Sequence, residues 1–189
     1  PGVIISAFAS SAIMFLKSVV SARKAQELLF YLMGSLSVEG TSRATMTVVV
    51  GGIAAACAGI FWFARDLNAL SLGDDEAAAL GVDVDRVRWW TVGIASFAVA
   101  CSVAFTGLIG FVGLVVPHGV RLVVGPDHRV LLPCSALGGA AFLTGADWLT
   151  RISFPLFSTA LPVGVVTAFV GAPLFMLFLW RNLSESSVV

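Results

Sequence analysis

Residues 89–120 read WWTVGIASFAVACSVAFTGLIGFVGLVVPHGV, uncharged from end to end between Arg88 and Arg121. A single helix crosses the hydrocarbon core with about 20 residues, and the usual upper limit is about 25. These 32 residues, 89 to 120, are too many for one crossing and too apolar for a water-exposed surface. Gly107, Gly110, Gly113 and Pro117 punctuate the second half, and such residues mark the places where a helix stops or turns. The stretch therefore divides into a span over 89–107 and a shorter one over 110–124. That division predicts an all-α, polytopic helical membrane protein.

The rest of the composition agrees. Hydrophobic residues make up 58% of the 189-residue chain and charged residues 12%. An ordinary soluble domain carries about 25% charged residues. The formal net charge is zero, which gives no electrostatic footprint for a nucleic-acid partner. Cys57, Cys101 and Cys134 are far apart among apolar residues, a pattern of small buried hydrophobes rather than of a metal or redox motif. Pro1 leads directly into apolar sequence, with no basic segment and no cleavage site of a signal peptide, so the chain is expected to be the interior of a longer protein.

Further uncharged runs predict spans over 1–16, 44–64, 130–146 and 161–181, six crossings in all. Pro155 and Pro162 place a loop at 153–160. An even number of crossings puts the loop 65–88 and the turn 125–129 on one side. That side holds six basic residues (Arg65, Arg86, Arg88, Arg121, Arg129, Arg181) and the other five (Lys17, Arg23, Lys24, Arg43, Arg151). A bias so small does not set orientation by the positive-inside rule. All five tryptophans fall near span ends, as in an aromatic belt. Gly51, Gly52, Ala55, Ala56 and Gly59, Ala100 with Ala104, Ala168 with Ala172, and Gly107, Gly110 and Gly113 form small-residue faces suited to close helix packing.

Two connecting segments have structure of their own. In 21–33, Ala25, Leu28, Leu29 and Leu32 recur at helical spacing opposite Lys24 and Glu27, which predicts an amphipathic helix at the interface or an extension of the first span. In 71–85, SLGDDEAAALGVDVD, the spacing predicts a short helix over 72–80. Ser71 would cap it and Asp74 would be the capping-box acid. Asp75 and Glu76 favour the positive end of its dipole, Gly81 would stop it, and Asp83 would cap the helix that follows. A short stiff helix fixed at both ends either receives a push from a partner or is a solvated loop helix.

Energy-coupling chemistry is missing from these residues. Lys17 and Lys24 are the only lysines and neither follows glycine, so there is no phosphate-binding loop. His118 and Arg121, one turn apart, stand near a span end, where a structural or interfacial role outweighs proton relay. Asp147 and Arg151, four apart, can pair on one helix face. No catalytic, cofactor-binding or metal-binding residue is assigned.

The motifs as a set resemble one family. GFVGLVVPHGVRLVVGPDHRVLLP at 110–133 is similar to the signature of the permease subunits of bacterial ABC importers for iron-siderophores, haem and cobalamin. LMGSLS at 32–37, LNALSLGDDEAAALGVDVDRVR at 67–88, GADWLTR at 145–151 and LPVGVVTAFVGAPLFMLFLWR at 161–181 agree in order. The resemblance covers the whole chain, but only the C-terminal part of a family member. It departs at Leu108, where the family often has proline, at Ala160, where it often has an acid, and at Asp66, where it often has a base.

The resemblance implies a transmembrane permease unit over 1–189, in a bacterial inner membrane, with 65–88 facing the cytoplasm and a coupling helix within 71–85. Leu72, Gly73, Asp74, Asp75, Glu76, Ala77, Ala78, Leu80 and Gly81 would dock on a separate ATP-binding subunit. Arg151 would face an extracytoplasmic substrate-binding protein, and Pro117, His118 and Arg121 would shape a helix approaching the cytoplasmic face. A second permease subunit, identical or different, would complete the path, and an iron-siderophore is the implied cargo, with cobalamin or haem as alternatives. A secondary transporter or a membrane enzyme using His118 and Asp147 are the rivals; neither accounts for a capped helix at 72–80.

Overall fold

In a computed structural model, residues 2–36, 42–157 and 161–186 are described. Among them the chain forms α1 (Gly2–Val19), α2 (Ala22–Leu32), α3 (Arg43–Trp62), α4 (Ala64–Leu70), α5 (Asp74–Ala79), α6 (Val84–Thr106), α7 (Val112–Val124), α8 (His128–Phe157) and α9 (Val163–Ser186). Among the described residues, three helices are long and apolar enough to cross a membrane: Arg43–Trp62, Val84–Thr106 and His128–Ile152. Val3–Leu16, Val112–Val124 and Val163–Phe178 are shorter apolar helices. Three of the six expected crossings thus have helices of spanning length, and the other three fall on shorter apolar helices.

The expected boundaries needed two corrections. The span placed at 130–146 runs on as one helix through Asp147 and Arg151 to Phe157. The loop expected at 153–160 is helical as far as 157, and 158–160, with Ala160, lie outside the described residues. A proline removes one backbone donor, and where little water competes for the remaining bonds the helix persists past it. Pro117 illustrates this directly, because α7 continues across it to Val124.

Helix packing relies on small residues. The most extensive contacts are between α7 and α8 and between α3 and α6, with α9 lying against both α7 and α8. A Cβ on Gly138 of α8 would stand 3.0 Å from Val116 and 3.3 Å from Val120 of α7. One on Gly59 of α3 would stand 3.4 Å from Ile94 of α6. Large side chains such as Val3, Phe8 and Phe169 stay exposed. Against lipid this carries no penalty, since acyl chains are as apolar as leucine. Not every expected small-residue face is used: Ala100 and Ala104 are exposed, and Gly51, Gly110 and Gly113 have open space over them.

The opening stretch breaks between α6 and α7. Gly107 has φ 72° and ψ −164°, a region that is essentially glycine-only. The Tyr31 carbonyl sits where its Cβ would be. Tyr31 Oη donates to Val103 O at 2.8 Å, and Ser35 N donates to Thr106 O at 2.8 Å. The end of α2 is thereby fastened to the end of α6, which satisfies backbone groups that lipid could not. Amphipathic α2 thus lies at the end of the bundle opposite α4 and α5; Ser37 of the same segment lies outside the described residues.

Candidate functional site: the α4–α5 face

Chain direction and a local network place α4, α5, the start of α6 and the turn before α8 at one end of the bundle. Each of the four helices buries one residue there: Ala64 of α4, Ala77 of α5, Val87 of α6 and Leu131 of α8. Alanines at two of these positions let a six-residue helix sit close to its neighbours.

The short helix exists but starts later than 72. Ser71 does not cap it. The Ser71 hydroxyl donates backwards to Asn68 O at 2.7 Å, closing α4, and the N-cap is Gly73. Asp74 is not a capping-box acid either: both of its carboxylate oxygens accept from Arg88 Nη2, at 2.9 and 3.0 Å. Arginine one helix later offers a stronger, charge-assisted donor than a backbone amide does. The Glu76 carboxylate folds back over Gly73. The stop at Gly81 is as expected. Gly81 has φ 84°, its N–H donates to Ala78 O at 2.9 Å, and Val82 N–H donates to Ala77 O at 3.0 Å. That pair of bonds is a Schellman ending. Asp83 caps α6 as expected, its Oδ1 accepting from Arg86 N at 3.2 Å.

Mounted in this way, α5 buries Ala77 completely and turns Asp75, Glu76 and Ala78 outward. Leu72 and Leu80 flank it, 66% and 67% exposed. Acids and two exposed leucines thus stand side by side on a short helix outside the apolar spans.

A second feature of this face had not been anticipated. Asn68 Nδ2 donates to Asp127 Oδ1 at 2.7 Å, and Asn68 Oδ1 accepts from His128 N at 2.8 Å. His128 Nδ1 also lies 2.7 Å from Asn68 Oδ1. A carboxamide oxygen only accepts, so Nδ1 carries a proton in this arrangement. Asp127 also accepts from Arg129 N at 3.0 Å, which caps α8. The Arg129 amide, then Asn68, hold the Asp127 carboxyl below the ordinary aspartate range. Neither residue was singled out in the sequence; an acid directly before a helix, as in GPDHR, is the signal that could have marked Asp127, and Asn68 offers none. The same network confirms that 65–88 and 125–129 share a side.

The remaining candidates lie outside this hydrogen-bond network, although Arg121 is close enough for its charge to be felt at His128. Arg121 is exposed in the last turn of α7, where its charge suits the negative end of the helix dipole. Half-buried His118 packs its ring against Phe178 of α9, centroids 5.0 Å apart, a packing contact rather than a reactive arrangement. Arg151 pairs with Asp147 as the spacing predicted, Nε to Oδ2 at 2.7 Å. It follows His128 by 23 residues of one helix, so it stands about 35 Å away at the opposite end.

The sequence profile of the FecCD transport family matches residues 1–181. The chain belongs to the FecCD transport family. It is 48% identical over 166 residues to a cobalamin import system permease protein, BtuC, of Halobacterium salinarum, covering 87% of this chain and 42% of that protein. It is 36% identical over 186 residues to the hemin transport system permease protein HmuU of Yersinia pestis, covering 98% and 54% respectively. With the Fe(3+) dicitrate permease protein FecD of Escherichia coli it shares 50% identity over 119 residues, 63% of this chain and 37% of that one. A solved structure described as a metal-chelate type ABC transporter in an inward-facing conformation superposes with TM-score 0.83 at 32% identity, over 95% of this chain and 57% of that chain. The FecCD-family chain thus spans about half the length of the relatives it matches. Its apolar helices and its family make it a multi-pass membrane protein.

Proposed function

We propose that this chain is the C-terminal part of a permease subunit in an ATP-driven importer, in which α5 receives the motion of a separate ATPase. The observation that carries the proposal is the setting of α5: a short helix paired with Arg88, ended by Gly81, seated on buried Ala77, and presenting acids and two leucines outward. Leu72, Gly73, Asp74, Asp75, Glu76, Ala77, Ala78, Leu80 and Gly81 form this coupling element within 71–85, and residues 1–189 are one transmembrane permease unit. The α4–α5 face is cytoplasmic, in a cell inner membrane. Arg151 meets an extracytoplasmic binding protein at the other end, and a second permease subunit completes the path. ATP is hydrolysed by the partner, and the permease is a transporter subunit rather than an enzyme.

The cargo is a bulky metal chelate, with an iron-siderophore as our reading. A cobalamin importer is the second reading, supported by the 48% identity with the Halobacterium permease. Reconstitution of the full-length permease with its ATPase and binding protein tests the proposal. We expect uptake that requires ATP hydrolysis and survives collapse of the ion gradient; uptake that follows the gradient without the ATPase refutes it. Growth on defined iron or cobalamin sources separates the two cargo readings.

A further inference from the structure

We infer that Asn68 is a positioning residue that carries displacement of α5 into α8, making α8 the span driven from the coupling face. The inference rests on the function proposed above and goes further, naming the joint. Two observations meet at this residue. Its backbone carbonyl accepts the Ser71 hydroxyl and so holds the turn that leads into α5. Its side chain grips α8 from both sides of the carboxamide, donating to Asp127 and accepting from His128.

The grip is on backbone and cap rather than on a flexible side-chain tip. His128 contributes its own N–H, and Asp127 is itself bonded to the Arg129 amide while its carbonyl accepts from Leu131 N at 2.8 Å. A movement of α4 therefore reaches the first turn of α8 directly. Asn68 has a short side chain with three bonds made, so little slack separates the helices. Beyond that turn α8 is one helix as far as Arg151, and a helix transmits axial displacement along its length. By contrast, the Arg88–Asp74 pair joins α5 only to α6 and is half exposed on both sides.

The test uses the full-length permease assembled with its ATPase, and reads uptake per ATP hydrolysed alongside abundance and melting temperature of the assembly. In Asn68→Ala we expect uptake per ATP to fall by about ten-fold, with ATPase stimulation retained, since the interface on α5 is untouched. Asn68→Asp sets two carboxylates against each other and is expected to uncouple similarly. The exchange Asn68→Asp with Asp127→Asn keeps an acceptor for both His128 donors and restores an amide-to-carboxylate bond. We expect it to recover most of the coupling. A purely structural role would lower abundance or melting temperature and leave uptake per ATP unchanged. The inference is overturned if Asn68→Ala couples normally, or if the exchange pair couples no better than Asn68→Asp alone. A wild-type assembly with no ATP-dependent uptake would instead overturn the proposed function.

Discussion

Ala77→Leu tests how α5 is seated. Ala77 has no accessible surface, and leucine adds three carbons to a filled position. Overpacking of this kind costs about 1–3 kcal/mol. Little else secures the helix. Its ion pair to Arg88 is solvent-exposed, its C-terminal bonds are local, and six residues are far too few for a helix to persist alone. The strain is therefore relieved where resistance is least, by α5 lifting from its seat, and not by rearrangement of the spans. An energy of about 1–3 kcal/mol raises the ratio of lifted to seated α5 by about 5- to 150-fold. Limited proteolysis of the 71–83 segment should accelerate within that range, while the melting temperature of the bundle changes little. ATPase stimulation by the full-length permease should fall in parallel. Ala78→Leu, on the exposed side, should leave protease sensitivity unchanged. Equal sensitivity of the two variants, or an Ala77→Leu protein as protected as the wild type, would refute the argument from burial.

Gly107→Ala should destabilise the bundle by about 1–3 kcal/mol or more, because the backbone there is in a glycine-only region and the Tyr31 carbonyl occupies the space, so thermal melting and yield should both drop. Arg151→Glu should break the pair with Asp147 and weaken capture of the binding protein, measured as its affinity for reconstituted permease, with ATPase stimulation by α5 contacts preserved. The Asp127 carboxyl is held below its ordinary range, so its contribution is fully present above the unfolded-state value and is lost as pH falls through the lower folded value. Wild-type and Asp127→Asn melting curves should differ at neutral pH and converge on acidification.

The spans were legible because uncharged length is a strong constraint: Arg43, Arg65, Arg88 and Arg121 bracket apolar runs that lipid must cover. Gly107 and Gly81 were legible as stops because few other residues adopt their backbone angles. The ends of α8 were not, since Pro155 has the same appearance in sequence whether or not the surroundings sustain a helix. Ser71 misled for a related reason: its hydroxyl can cap forward or bond backward, and only the fold decides which acceptor is near. Asn68 and Asp127 are 59 residues apart, and nothing local links a carboxamide in one short helix to an acid in a distant turn.

Crosslinking decides whether α5 is the element through which an ATPase drives the spans. With every native cysteine of the full-length permease, Cys57, Cys101 and Cys134 included, replaced by serine, an Ala78→Cys variant would carry a short crosslinker. An adduct with the nucleotide-hydrolysing subunit is expected, its yield changing with ATP, formed from the cytoplasmic side of sealed vesicles. A cysteine labelled only from the outer side, or never trapped on that subunit, would contradict it.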